Sequence, residues 1–234
     1  MGRGEGCAVA KGSGPMDMLV TGANRGIGLA LATHALQVGA RVVGTHRGAA
    51  PAVDGVEWQG LDVAEAGSHR ALAARLAGRP LGLLVCNAGI YRDGDDTLDG
   101  GFAPEVWAET LAVNVTGVFL TIQSLLPNIR AGGGKIAIIS SQMGSATKAT
   151  GGSYIYRASK AGALNIGRNL ATDLRDEGIA VGIYHPGWVR TEMGGSGADI
   201  SEDEAATGLL ARFAHLSLAT TGCFENWDGR PHPF

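Results

Sequence analysis

Tyr156 and Lys160 are the two side chains of this sequence whose types and spacing best suit proton transfer. In a helix, residues four positions apart lie one above the other on one face, so the lysine ammonium would stand near the phenol. A nearby cation favours the phenolate and thereby lowers a tyrosine pKa that is normally about 10. We therefore expect a phenol that can give or take a proton near neutral pH. Because the same spacing is common on exposed helices, the rest of the chain must decide whether the pair is catalytic.

A glycine-rich segment, residues 22–28, indicates that a cofactor would bind beside this proton-transfer pair. It follows a short apolar strand and precedes a helix rich in alanine and leucine. A turn that only glycine allows, followed by a helix N-terminus that presents N–H groups to an anion, is typical of dinucleotide binding. Gly28 would leave room for the helix to pack on a strand. The residues expected to contact the cofactor here are Gly22, Asn24, Arg25, Gly26, Ile27 and Gly28.

The end of the second predicted strand bears on which dinucleotide binds. Proteins that bind NAD usually carry a carboxylate there for the ribose 2′-hydroxyl, whereas an arginine accommodates a 2′-phosphate. This chain has His46 and Arg47 at that point and Arg25 in the glycine segment. We therefore expect NADP(H), with NAD(H) less favoured. The alternative is that both arginines are solvated surface charges.

The elements that must position these residues alternate between strands and helices. Short strands that are apolar throughout, separated by helices, indicate a parallel sheet covered on both faces. The predicted fold is thus α/β: a single-domain, Rossmann-type, doubly wound parallel sheet with helices on both faces. We predict strands at residues 18–21, 41–45, 56–61, 81–86, 135–140, 179–184 and 223–225. We predict helices at residues 26–38, 64–77, 104–130 with a break near 115–116, 154–177 and 203–216.

The composition limits the class of protein. Of the 234 residues, 45% are hydrophobic and 18% are charged, as in an ordinary globular domain. The net charge of −3 gives no electrostatic reason to bind nucleic acid or a membrane surface. No run approaches the roughly eighteen apolar residues that are needed to span a bilayer. We expect residues 1–15 to be a flexible leader, disordered or not native, ahead of a catalytic domain at residues 16–234.

The remaining polar clusters receive structural interpretations. Cys7, Cys86 and Cys223 lack metal-binding spacing and are interpreted as free thiols of a reducing compartment, so we expect a cytoplasmic protein. The acidic run that contains Asp93 and Asp96 is interpreted as a solvated loop near the cleft mouth, and no metal site is predicted.

Several short motifs occur together in one order along the chain. They are the glycine segment, Asn87-Ala-Gly89, Asn114, Ser140-Ser141, Tyr156-x-x-x-Lys160 and Pro186-Gly187. With these motifs the sequence resembles the short-chain dehydrogenase/reductase family from residue 16 to its end. The runs around Ser141 and Tyr156 resemble the C-factor and sniffer-type carbonyl reductases within it.

The resemblance implies a role for each motif. Asn114, Ser141, Tyr156 and Lys160 would be catalytic, with Asn114 at a helix irregularity where it holds a water that links Lys160 to solvent. Tyr156 and Lys160 would also contact the cofactor. The other implied cofactor contacts are Asp62 and Val63 at the adenine, Asn87, Ala88 and Gly89 at the ribose, and Pro186, Gly187, Val189 and Thr191 around the nicotinamide and phosphates.

Two points remain open within the resemblance. Ser140 is the alternative to Ser141, because a slip of one residue at a strand end exchanges the side chain that faces the cleft. The interval from Ser141 to Tyr156 is also wider than is usual in the family, which suggests an insertion at residues 147–152. The glycine-rich segment 192–200 is expected to be mobile without ligand.

The implied activity is the interconversion of an aldehyde or ketone and an alcohol by hydride transfer with NADP(H), Tyr156 serving as proton donor or acceptor. The partner would be a small carbonyl or alcohol substrate, and the protein would form a homo-oligomer, a dimer or tetramer. The alternative is a dinucleotide-binding signalling or redox-sensing protein with little turnover.

Overall fold

One parallel sheet organises the protein. The structure, a computed structural model, describes residues 16–234, and the predicted leader lies outside these residues. The strands are β1 (Asp17–Val20), β2 (Arg41–His46), β3 (Val56–Gly60), β4 (Leu83–Cys86), β5 (Lys135–Ile139), β6 (Val181–His185) and β7 (Phe224–Asn226). The helices are α1 (Gly26–Gln37), α2 (Ala66–Arg75), α3 (Pro104–Leu111), α4 (Gly117–Gly132), α5 (Tyr154–Asp173) and α6 (Glu202–His215).

The strand order is β3-β2-β1-β4-β5-β6-β7, and every neighbouring pair of strands is parallel. Successive side chains of a strand point to opposite faces of the sheet, so each strand supplies two cores. In β1, Leu19 belongs to the core that α2, α4 and α5 cover. Its neighbours Met18 and Val20 belong to the core on the other face, under α1 and α6. The predicted doubly wound α/β fold is confirmed.

The long helical stretch has the predicted break. α3 and α4 are joined by a π-helical turn, Ala112–Thr116, which includes the predicted break point. The run Pro104–Gly132 has 29 residues, and its most apolar 18-residue window has a mean hydropathy of 1.4, so by length and composition alone it could cross a membrane. The expectation that no run approaches this length was therefore wrong. In this fold α4 is a core helix, because Leu125 and Ile129 are fully buried against the sheet.

Candidate active site

The site forms where the strand order reverses. β1 and β4 are adjacent in the sheet although four elements separate them in sequence, and the chain leaves them toward opposite sides. Ligands of open parallel sheets bind in the crevice at the carboxyl ends of such a strand pair. The glycine loop follows β1 and Asn87-Ala-Gly89 follows β4, so both motifs border this crevice.

The glycine loop needs its glycines for two different reasons. Gly22 has a φ of 62° and Gly26 a φ of 57°, in the left-handed region that disfavours other residues. Gly28 has no such φ, but a Cβ added there would lie 2.3 Å from the Gly22 oxygen and 2.5 Å from Asn87 Nδ2. Gly28 was expected to make room for a strand. Its close neighbours are instead the loop itself and Asn87.

Two threonines that sequence reasoning missed hold the loop in place. The Thr21 hydroxyl accepts hydrogen bonds from the N–H groups of Asn87 and Ala88, both at 3.0 Å. The Thr45 hydroxyl accepts one from the N–H of Gly22 at 3.2 Å. Asn87 Nδ2 also links the two segments, because it donates a hydrogen bond to the Thr21 carbonyl oxygen at 3.0 Å. A polar, β-branched residue at the end of an apolar strand was the signal available in the sequence.

A cleft of about 660 Å³ opens above the loop. It brings together most of the residues predicted to contact a dinucleotide. Those that line it are Gly22, Asn24, Arg25, Gly26, Ile27, Gly28, Arg47, Asp62, Val63, Asn87, Ala88, Gly89, Tyr156, Lys160, Pro186 and Thr191. The predicted residues that do not line it are His46, Asn114, Ser141, Gly187 and Val189.

The α1 end of the cleft fits a dinucleotide pyrophosphate. Among the described residues, no side chain caps the N-terminus of α1, and its first turn has no acidic residue. A helix N-terminus in this state presents N–H groups and a partial positive charge to an anion. The absent side chains at Gly22 and Gly28 let the backbone approach it. The residues present are therefore suited to hold the cofactor that the glycine loop predicts.

The residues expected at a 2′-phosphate differ in where they lie. Arg47 lines the cleft. Arg25 also lines it, and its guanidinium forms an ion pair with Glu192, both side chains being exposed. The imidazole of His46 contacts the Gly48 carbonyl oxygen and the edge of the Trp58 ring, so it is held beside the cleft.

Tyr156 and Lys160 lie on the buried face of α5, as their spacing predicts. Lys160 Nζ donates a hydrogen bond to the Ile139 carbonyl oxygen at 3.0 Å and lies 5.6 Å from the centroid of the Tyr156 ring. Burial raises the pKa of Tyr156 to about 12, and a hydrogen bond with Ser141 partly offsets this. Burial lowers the pKa of Lys160 to about 8. The expected lowering of the tyrosine pKa is thus wrong for this structure, because burial has the largest influence on it.

The two candidate serines have different partners. The Ser140 hydroxyl donates a hydrogen bond to the Lys160 carbonyl oxygen at 2.9 Å, and the Ser140 side chain is buried. The Ser141 hydroxyl accepts from the N–H of Met143 at 3.1 Å and lies close enough to the Tyr156 phenol to lower its pKa. Ser140 also borders the cleft, but its hydroxyl is engaged elsewhere. The geometry therefore favours Ser141 as the hydroxyl that acts together with Tyr156.

Asn114 lies within the π-helical turn and joins three parts of the site. Its Oδ1 accepts a hydrogen bond from the N–H of Ile90, and its Nδ2 donates one to the Ile90 carbonyl oxygen, both at 2.8 Å. Nδ2 also donates to Ser159 Oγ on α5 at 2.9 Å. A Cβ at Gly89 would lie 3.3 Å from both Asn114 Oδ1 and Lys160 Nζ, so this glycine leaves room where the two side chains meet. The water relay remains a prediction.

The loop after β4 departs most from expectation. Asp93 was interpreted as part of a solvated acidic loop, yet it is fully buried and its carboxylate accepts from the N–H groups of Ile155 and Tyr156 at the start of α5. Nearby, Tyr91 Oη is 2.6 Å from Ser153 Oγ, and the Tyr91 and Tyr156 rings lie 4.6 Å apart. The exposed Asp95 is the part of that run that fits the original interpretation.

In the segment after β6, the first residues contact the last ones. Val189 pairs with Ile200 as an isolated bridge, and a Cβ at Gly187 would lie 2.5 Å from Ile200 Cδ1. Arg190 Nη1 donates to the carbonyl oxygens of Ala198 and Asp199 at 3.0 Å. The structure thus shows a loop closed by hydrogen bonds, and its mobility without ligand remains a prediction.

Comparisons with known proteins agree with this geometry. A family model described as short chain dehydrogenase matches residues 17–199. The sequence is 35% identical to C-signal of Myxococcus xanthus over 168 residues, which are 70% of this chain and 99% of that protein. The structure is similar to NADPH-bound carbonyl reductase from chicken fatty liver, with a TM-score of 0.85 and 31% identity over 94% of this chain and 99% of the other. It is also similar to the carbonyl reductase Sniffer of D. melanogaster, with a TM-score of 0.88 and 25% identity over 94% of this chain and all 100% of the other.

Proposed function

The chain belongs to the short-chain dehydrogenase family, and from that premise we propose that it is an NADP(H)-dependent carbonyl reductase. The observation that supports this most directly is the position of Tyr156 and Lys160, which line the same cleft as the glycine loop. The substrate would be an aldehyde or ketone, and the product the corresponding alcohol. The similarity to NADPH-bound carbonyl reductase supports both the cofactor and the reaction.

NADPH, when bound, would supply the hydride to the carbonyl carbon. A tyrosine pKa of about 12 keeps the Tyr156 phenol protonated at neutral pH, which is the state a proton donor needs. Ser141 would hydrogen-bond the substrate oxygen and stabilise the negative charge that develops on it. Lys160, with a pKa lowered to about 8, still carries its charge at neutral pH and would favour proton loss from Tyr156. Asn114 would hold the water for proton relay.

Replacing Tyr156 with phenylalanine tests the proton donor. General acid catalysis contributes about 10²- to 10⁴-fold to a rate, so Tyr156→Phe should lower kcat for carbonyl reduction by about that factor. NADPH binding should be retained, because the variant removes only the phenolic oxygen. The assay is NADPH oxidation followed by absorbance across a panel of aldehydes and ketones.

Tyr154→Phe is the matched control, since Tyr154 begins the same helix but is exposed and packs on Phe102. It should keep wild-type turnover. Full activity in Tyr156→Phe would refute the proposed role.

Arg47 tests the preference for NADP(H). A hydrogen bond to a charged group contributes about 1.5–3 kcal/mol, so Arg47→Ala should weaken NADPH binding at least about tenfold. NADH binding should change by less than about twofold, because NADH lacks the 2′-phosphate. Dissociation constants measured by fluorescence titration decide the question. Arg70→Ala, at an exposed arginine of α2, serves as the control. Wild-type protein that binds NADH as tightly as NADPH would contradict the preference.

The similarity to C-signal favours one alternative, a dinucleotide-binding signalling or redox-sensing protein with little turnover. The presence of Asn114, Ser141, Tyr156 and Lys160 together argues for catalysis instead. A protein that binds NADPH but oxidises it with no carbonyl compound of the panel would favour the alternative. A cytoplasmic location and a homo-oligomer of two or four chains remain predictions, the second of which sedimentation would measure.

A further inference from the structure

We propose that Asp93 is a positioning residue for the proton donor: its buried carboxylate fixes the start of α5 and thereby the place of the Tyr156 phenol. The inference rests on the proposed function, since it concerns the same proton transfer. It assigns a role to a residue of the loop after β4 that neither the glycine loop nor the catalytic motifs include.

The first argument is the way in which α5 begins. The first N–H groups of a helix have no partner within the helix and need a cap from elsewhere. Ser153 occupies the N-cap position, but its side chain makes no capping hydrogen bond. Asp93 supplies that cap from another part of the chain. Its Oδ2 accepts from the N–H of Ile155 at 2.7 Å and its Oδ1 from the N–H of Tyr156 at 3.2 Å.

The second argument is that the local sequence does not determine this helix start. Ser153 has a φ of 47°, in the left-handed region that is unfavourable for a residue with a side chain. Its hydroxyl is 2.6 Å from Tyr91 Oη, so it is held by the same loop that carries Asp93. The loop after β4 therefore sets both the backbone turn before α5 and the cap within its first turn.

The third argument is the environment of the phenol. Tyr156 is the third residue of α5, so any displacement of the first turn moves its ring directly. The Tyr91 ring lies against it with centroids 4.6 Å apart. The ionisable groups near the phenol are Tyr91 and Asp93 from the loop and Lys160 from α5. Burial is the main cause of the raised Tyr156 pKa, Ser141 lowers this pKa, and the Asp93 carboxylate raises it, so Asp93 also favours the protonated donor.

Two substitutions separate the hydrogen bonds from the charge. Asp93→Asn keeps an acceptor oxygen at the cap but removes the negative charge, whereas Asp93→Ala removes both. Asp95→Asn is the matched control, because Asp95 is an exposed residue of the same loop. Each variant is measured for kcat and KM against pH, for NADPH dissociation, and for hydrogen exchange at the N–H groups of residues 155 and 156.

For Asp93→Ala we expect kcat to fall about 10- to 100-fold, the effect of a small misplacement of a catalytic group, with the NADPH dissociation constant changed less than about twofold. Exchange at residues 155 and 156 should accelerate. For Asp93→Asn we expect a smaller fall in kcat and a pH profile whose tyrosine limb moves to lower pH, because a nearby negative charge is gone. Asp95→Asn should match wild type in every measurement.

The inference is overturned if Asp93→Ala keeps kcat within about twofold of wild type or if exchange at residues 155 and 156 is unchanged. If Asp93→Ala does not fold, Asp93→Asn decides alone, and unchanged kcat together with unchanged exchange at residues 155 and 156 overturns the inference. Failure of the proposed function looks different: wild-type protein then reduces no carbonyl compound, or Tyr156→Phe retains turnover. In that case the exchange measurement still shows whether Asp93 caps α5, and unchanged exchange rejects the cap as well.

Discussion

At the scale of single residues, the hydrogen bonds that a side chain already makes decide whether it is available for chemistry. Ser140 and Ser141 are adjacent and chemically identical, yet the Ser140 hydroxyl donates to the Lys160 carbonyl oxygen, whereas the Ser141 hydroxyl accepts from the Met143 N–H and lies near the Tyr156 phenol. The sequence left the choice between them open because strand registers that differ by one residue exchange the two side chains. In the structure β5 ends at Ile139, before both serines, and their different hydrogen-bond partners favour Ser141, whose role remains a prediction.

The two serines should therefore respond differently to removal of the hydroxyl. Ser141→Ala should lower kcat about 10²-fold, the usual effect of losing one donor to a developing oxyanion, with little change in stability. Ser140→Ala should instead lower the free energy of unfolding by about 1 kcal/mol, since it removes a buried hydrogen bond to the Lys160 carbonyl oxygen, while most of kcat remains. Steady-state kinetics and urea denaturation of both variants measure the difference. The opposite pattern would exchange their roles.

At the scale of elements, the glycine loop acts as one unit with the end of β4. Thr21 and Asn87 tie the two together through the hydrogen bonds described above. The spacing of glycines in the sequence was enough to predict the loop, because positive φ and close backbone approach both require glycine. It could not show that Gly28 faces Asn87, since that contact joins residues that are far apart in the chain.

A methyl group at residue 28 should disturb this unit. Gly28→Ala would place a Cβ 2.3 Å from the Gly22 oxygen, so the loop must shift away from its position for pyrophosphate. We expect NADPH binding to weaken at least about tenfold, measured by titration. Gly67→Ala is the control: this helical glycine has only Arg70 Nη2 nearby, at 3.8 Å, and alanine should be neutral or stabilise by up to about 1 kcal/mol. Equal NADPH affinity in both variants would contradict the prediction.

At the scale of the whole molecule, stability in acid should depend on a buried histidine outside the cleft. His185 ends β6, and its Nδ1 is buried without a hydrogen-bond partner among the described residues. Burial, with smaller contributions from His232 and Lys148, lowers its pKa to about 4. The unfolded chain binds this proton near pH 6.5 and the folded chain only near pH 4, so stability falls as the pH falls between these values.

Between pH 7 and pH 5 this histidine should reduce the free energy of unfolding by roughly 2 kcal/mol. His185→Gln should remove most of that dependence, whatever its effect on stability at pH 7. Urea denaturation at both pH values measures the difference for wild type and variant. His215→Gln, at an exposed histidine of α6, should leave the dependence as it is in wild type. If His185→Gln and wild type lose stability equally, another group is responsible.

The parts of this protein that the sequence predicted are those set by local pattern. Apolar runs separated by helices predicted the parallel sheet. The glycine loop and the Tyr156–Lys160 spacing predicted residues that line the cleft. Asp93 could not be predicted in this way, because an aspartate within an acidic run is ordinarily exposed. Its burial depends on the start of α5, which lies 62 residues further along the chain. The Tyr156 pKa was mispredicted for a related reason, since spacing indicates a neighbouring charge but does not measure burial.

The π-helical turn Ala112–Thr116 has a consequence for the packing of α4. Such a turn accommodates one extra residue within an α-helix, so the helix on either side keeps the direction in which its apolar face points. If the turn became regular α-helix with every residue kept, α4 would rotate by about 100° relative to α3. Leu125 and Ile129 would then leave the core together. The widened hydrogen bonding of this one turn therefore keeps α4 packed against the sheet.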